Sequence, residues 1–129
     1  MGKKIRIIGP KIDYQEIYSG YTYFMKCKHS SVVKIGFSKN PAKRLRDLKL
    51  SGSNYSAYDF KILFVINTNI EKLAHRTLKV SPGRETYEFH GISPLDFGKW
   101  LIKPRGRWWD MEVFNREANE MRLKISHVR

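Results

Sequence analysis

The sequence predicts an α+β fold: a small, mostly antiparallel central sheet flanked by helices, with an extra helical appendage at the C-terminal end. Three observations carry this prediction. Strand-like and helix-like segments alternate in the order strand, strand, helix, strand, helix, strand, helix. The first two strands are separated by a polar four-residue turn, Lys28-His29-Ser30-Ser31, so they form a hairpin. A continuous apolar run, Phe60-Lys61-Ile62-Leu63-Phe64-Val65-Ile66, reads as an interior strand. At 129 residues, 41% hydrophobic and 13% aromatic, the chain is one domain (1–129) able to bury a core without disulfides or metals as staples.

Taken in order, residues 3–8 read as a short strand before Gly9-Pro10, and 13–19 can hold a helical turn. Gly20 opens the hairpin. Tyr21-Thr22-Tyr23-Phe24-Met25 and Val32-Val33-Lys34-Ile35-Gly36-Phe37 are rich in β-formers. If the turn closes symmetrically, Tyr21 faces Ser38, Tyr23 faces Gly36, Met25 faces Lys34 and Cys27 faces Val32. Alternation then gathers Tyr21, Tyr23, Lys34, Gly36 and Ser38 on one face, with Phe24, Val33, Ile35 and Phe37 on the other. The first, more polar face is the expected working face, with Gly36 leaving room for a phosphate opposite Tyr23.

Asn40-Pro41 starts a helix, with a capping oxygen followed by proline at the first helical position. Ala42, Leu45 and Leu48 form its buried stripe, flanked by Arg44 and Arg46 on opposite sides. Asn67-Thr68-Asn69 is expected to cap a second helix on which Glu71 and His75, four apart, are neighbours. After Pro82-Gly83, residues 84–89 alternate as a strand. Ser93-Pro94-Leu95-Asp96 opens a third helix through Trp100, and residues 110–125 form the last, carrying Met111, Phe114, Ala118 and Met121.

The formal charge is +13, from 25 Lys and Arg against 12 Asp and Glu. It is concentrated in residues 1–50, with 12 basic against 3 acidic side chains, whereas residues 51–98 are balanced at 5 against 5. Such an excess points to a polyanionic partner, nucleic acid before membrane, because no basic amphipathic helix dominates. The single cysteine, Cys27, rules out an internal disulfide. No signal peptide or bilayer-length apolar run is legible, so a soluble protein of the cytoplasm is expected. A zinc site from Cys27, His29, His75 and His90 has no compact ligand spacing to recommend it.

Within this frame stands a sparse constellation: Tyr23, then Lys34-Ile35-Gly36, then Arg44, then Glu71 and His75, then Glu85. A carboxylate for a hard cation, a phenol and an ammonium for the protons of water, and a guanidinium for a phosphate are the parts of a one-metal phosphodiesterase. At these residues the chain resembles the GIY-YIG nuclease superfamily, in particular its small phage-type members with a KIG second motif. The resemblance covers about 20–90 and leaves 91–129 as the appendage. It implies Tyr23 as general base or water-orienting phenol, Lys34 in the place of the second tyrosine, Arg44 on phosphate, and Glu85 on a single Mg²⁺ or Mn²⁺. His75 joins this catalytic group as a contact to phosphate or to its neighbours, or else forms only an exposed pair with Glu71.

The sequence departs from the family at three places. The first motif lacks its leading glycine unless Gly20 serves one position early. Lys34 replaces a tyrosine. Glu85 and Glu88 lie on opposite faces of one strand, and the choice of metal ligand between them rests on the resemblance alone. Tyr21, Gly36, Ser38, Lys39, Lys43, Arg46, Arg105 and Arg107 are the expected substrate contacts. Trp108-Trp109 can stack on bases, or with Trp100 can close a core or a homodimer contact. The expected activity is a divalent-metal-dependent endonuclease, on DNA ahead of RNA by family analogy. The rival expectations are a catalytically degenerate nucleic-acid-binding module and an RNA-directed or partner-dependent nuclease.

Overall fold

The computed structural model describes residues 4–10, 20–50, 59–79, 86–104 and 111–128, with the backbone alone at 49 and 50. Its strands are β1 (Ile7–Ile8), β2 (Tyr21–Cys27), β3 (Val32–Ser38), β4 (Phe60–Ile66), β5 (Thr86–Phe89) and β6 (Ile125–His127). Its helices are α1 (Pro41–Leu50), α2 (Glu71–Leu78), α3 (Pro94–Ile102) and α4 (Met111–Lys124). The strands make one six-stranded sheet in the order β1-β4-β2-β3-β5-β6, and every neighbouring pair is antiparallel. The α+β class read from the sequence is therefore the observed one. No helix among the described residues is long and apolar enough to cross a membrane.

The hairpin has the register that its turn length dictates: Tyr21 pairs with Ser38, Tyr23 with Gly36 and Met25 with Lys34. Each face of this sheet then needs its own cover. Phe24, Val33, Ile35, Phe64, Ile66 and Tyr87 point one way and meet α2, α3 and α4 through Ala74, Leu78, Phe97, Leu101 and Met121. Tyr21, Tyr23, Met25, Cys27, Val32, Phe60 and Val65 point the other way and meet α1 through Leu45 and Leu48. Full burial of a side chain such as Leu48, 2% exposed, is worth about 1.5–3 kcal/mol and helps anchor α1 on the sheet.

Three local expectations change. The first strand contracts, in the described residues, from 3–8 to Ile7–Ile8. Asn67 does not cap α2: its Oδ1 accepts from Arg6 N at 2.8 Å and its Nδ2 donates to Lys4 O at 2.9 Å, pinning the N-terminal segment beside β4. The start of α2 is held instead by Thr22, a fully buried residue of β2. Its hydroxyl accepts from Ile70 N at 2.9 Å and donates to Thr68 O at 2.7 Å, while Asn69 contributes only a long bond of 3.4 Å to Glu71 N.

The C-terminal segment is built into the fold. Ser93 caps α3, its Oγ accepting from Asp96 N at 3.0 Å, as its sequence predicts. Phe97, Leu101, Met121 and Ile125 enter the same core as the hairpin, and β6, which the sequence reading does not foresee, pairs with β5. Trp100 stacks between Phe97 and Phe114 and donates its indole N–H to Glu117 Oε2 at 2.8 Å. Trp100 therefore serves the packing of α3 on α4. Trp108 and Trp109 lie outside the described residues.

Candidate active site

Tyr23 and Lys34 sit on neighbouring strands of one face because both belong to the period-two set that also contains Gly36. That face, expected from the sequence to be the more polar, working side, is not open. Tyr23 is 2% exposed, Tyr21 3% and Lys34 0%. The stems and rings of such residues carry enough apolar surface to form a core, and here they form the second one, under α1. Lys34 faces Met25 on β2 and Thr86 on β5, and makes contacts within the fold. A fully buried ammonium is tolerated only where acceptors surround it, so Lys34 is held in place rather than waving in solvent.

The space at Gly36 is also put to a different use. A β-carbon there would collide with the hydroxyl and ring of Tyr23, so the missing side chain makes room for Tyr23 itself and not for a phosphate. At the start of β2, Gly20 has φ +152°, and a β-carbon on it would strike the Phe37 ring. Backbone and packing thus both require glycine one residue before Tyr21.

Over this face lies α1, begun as its sequence predicts by Asn40, whose Oδ1 accepts from Lys43 N at 3.1 Å. Ser38, half-buried at the end of β3, accepts from Asn40 N at 3.0 Å and fixes the turn between strand and helix. Pro41, Ala42, Leu45 and Leu48 turn towards the sheet, and Lys39, Lys43, Arg44 and Arg46 remain exposed. Arg44 therefore stands at the surface, with the further positive charge of Lys39, Lys43 and Arg46 beside it.

Glu85, Arg105 and Arg107 lie outside the described residues. Glu88, the other carboxylate of that strand, pairs with Val32 and so shares the face of Lys34 and Thr86, half-buried. No cluster of three or more His, Cys, Asp or Glu side chains suited to a metal occurs among the described residues.

His75 is not brought to Tyr23 and Lys34. It projects from α2 on the opposite side of the sheet, where its Nδ1 is hydrogen-bonded with the Tyr87 hydroxyl and its ring stacks on Tyr87. Its Nε2 lies 3.5 Å from Glu71 Oε1, the i,i+4 neighbour anticipated from the spacing. Tyr87 is 0% exposed, so this Glu71-His75-Tyr87 chain ends in the core and presents no nucleophile to solvent. His127, paired with Tyr87 across β5 and β6, closes the other edge of that ring.

At the far end of the hairpin, burial pushes the Cys27 thiol up. Hydrogen bonds from the Ser30 side chain and the His29 and Ser30 backbone, with the charge of Lys26, outweigh it and hold the thiol below its usual value. Sequence reasoning missed two features of this structure. One is Thr22 as the link between the hairpin and α2. The other is the exposed trio Lys72, Arg76 and Lys79, whose i, i+4, i+7 spacing was available as a signal.

A family model for the T5orf172 domain, a phage-associated domain found in some nuclease-like proteins, matches residues 20–125. The match begins at Gly20 and runs past the hairpin core through α3 and α4 to the first residue of β6. No curated protein and no solved structure matches the chain.

Proposed function

This chain belongs to the T5orf172 domain family, and from that membership and the site geometry we propose that it is a divalent-metal-dependent endonuclease of GIY-YIG type acting on DNA. The observation that carries the reading is the face shared by Tyr23 and Lys34, roofed by a helix whose exposed side bears Arg44. In this reading Arg44 takes the non-bridging oxygens of the scissile phosphate, whose charge grows in the transition state. Tyr23 orients the attacking water, and Lys34 donates a hydrogen bond that fixes the phenol and water relative to each other. A divalent ion, when bound, stabilises the leaving oxygen. Its ligand is Glu85 by resemblance, with Glu88 the alternative on the face of Lys34.

One observation favours a second reading, a nucleic-acid-binding module without cleavage: Tyr23 and Lys34 are 2% and 0% exposed, so substrate reaches them only if their cover shifts. Incubation of the protein with end-labelled DNA and RNA strands of the same sequence, with Mg²⁺, Mn²⁺ or chelator, separates the two. Metal-dependent shortening of the DNA supports the nuclease. Retarded but intact strands favour the binding module, and shortening of RNA alone moves the substrate.

A further inference from the structure

We infer that α2 carries a second phosphate-binding surface, by which one chain holds two nucleic-acid segments at once, one on each side of its sheet. The inference rests on the nucleic-acid reading above and goes beyond it. Lys72, Arg76 and Lys79 are all exposed, while Ala74, Thr77 and Leu78 between them are buried. At 3.6 residues per turn the three cations fall within an arc of about 60° on the outer side of the helix. They span about 10 Å along its axis, which is the rise of roughly three nucleotides of one strand at 3.4 Å each.

Two further facts leave that charge available. None of the three is in an ion pair among the described residues, and the nearest carboxylate in sequence, Glu71, is 3.5 Å from His75. Lys79 ends the helix in the left-handed conformation, φ 53°, its N–H turned back to Arg76 O and His75 O. The C-terminal turn is thus closed by the backbone, so the Lys79 side chain is not needed to cap it.

The surface differs in place from that of Arg44. Leu45 and Leu48 dock α1 on the Tyr23 face, and Ala74 and Leu78 dock α2 on the Phe24 face. Each helix is about 10 Å thick and a sheet lies between them, so outward cations on the two point away from each other. A straight duplex that lies on one set does not reach the other. A protein that both grips and cuts DNA can use the rear surface to hold a second duplex, or the returning arm of a looped one.

The test uses the full chain as a monomer-sized species, with excess 20-base-pair duplex at low salt, and reads the mass of the complex by light scattering. The wild type is expected to take two duplexes. Lys72→Gln/Arg76→Gln/Lys79→Asn, at exposed positions and with asparagine suited to the left-handed site, is expected to take one. It should also lower the salt slope of binding by about 2 to 3 if each cation meets a phosphate. Lys43→Gln/Arg44→Gln/Arg46→Gln should likewise take one, through α2 alone. A wild type that holds a single duplex, or an α2 variant with the wild-type mass and slope, overturns the second surface and leaves the nuclease reading standing. Absence of all duplex binding overturns both.

Discussion

Gly36 faces Tyr23 across the β2–β3 ladder, and the Tyr23 hydroxyl occupies the volume that any larger residue at 36 would need. Gly36 and Tyr23 are thus one packing unit. Gly36→Ala should destabilise the protein by about 1–3 kcal/mol, the usual range for overpacking a tight core. Because the hydroxyl is the nearest atom, Tyr23→Phe should recover part of that loss in the double variant. Urea denaturation of the four proteins measures the coupling, and additive effects would separate the two residues.

Thr22, itself buried, joins the hairpin to α2 through two part-buried hydrogen bonds. Thr22→Val keeps the shape and removes both, leaving Ile70 N and Thr68 O without that partner. The expected cost is about 1–3 kcal/mol, with amide exchange rising first at the start of α2. Uniform loss of protection across the sheet would show that the link does not act locally.

The arrangement of His75 predicts a separation of stability from chemistry. Tyr87→Phe removes the hydroxyl that meets His75 Nδ1 deep in the core. Thermal unfolding should report about 1–2 kcal/mol of lost stability, with metal-dependent cleavage little changed once the variant is folded. A large fall in cleavage without loss of stability would place the Glu71-His75-Tyr87 chain in the reaction after all.

Cys27 gives a pH dependence with a definite sign. Its thiol is held below the ordinary value in the folded protein, so the folded state favours the thiolate. That contribution is fully present above the unfolded thiol value, about 8.5, and fades as pH falls through the lower folded value. The stability margin of wild type over Cys27→Ala should therefore widen as pH rises from neutral to about 9.5. A constant margin would mean that Cys27 titrates alike folded and unfolded.

Particular residues show what the sequence makes legible. The hairpin register follows from the sequence once the four-residue turn closes symmetrically, as it does, and Asn40 and Ser93 are readable as caps because capping is local. What depends on distant partners is not. Asn67 looks like a helix cap, but its amide is taken by Lys4 and Arg6, more than 60 positions away. Ile125-Ser126-His127 follows a helix with no glycine or proline to mark the change, and is a strand because β5 offers an edge. Tyr21, Tyr23 and Lys34 look like a polar surface by residue type, yet α1 folds over them. His75 stands near Tyr23 in a list of motif residues, but a β-sheet lies between them, which spacing along the chain does not reveal.

We propose cleavage by the Tyr23 face with Arg44 above it. It is tested most directly by converting supercoiled plasmid to nicked or linear forms in Mg²⁺ or Mn²⁺, with wild type, Tyr23→Phe and Arg44→Ala, each shown to be folded by circular dichroism. Metal-dependent conversion by wild type is expected, with a loss of about 100-fold or more in both variants, the magnitude for a proton-handling group and for a charge-stabilising one. Folded wild type that retards the plasmid and leaves it supercoiled, or variants that cut as fast as wild type, would contradict it.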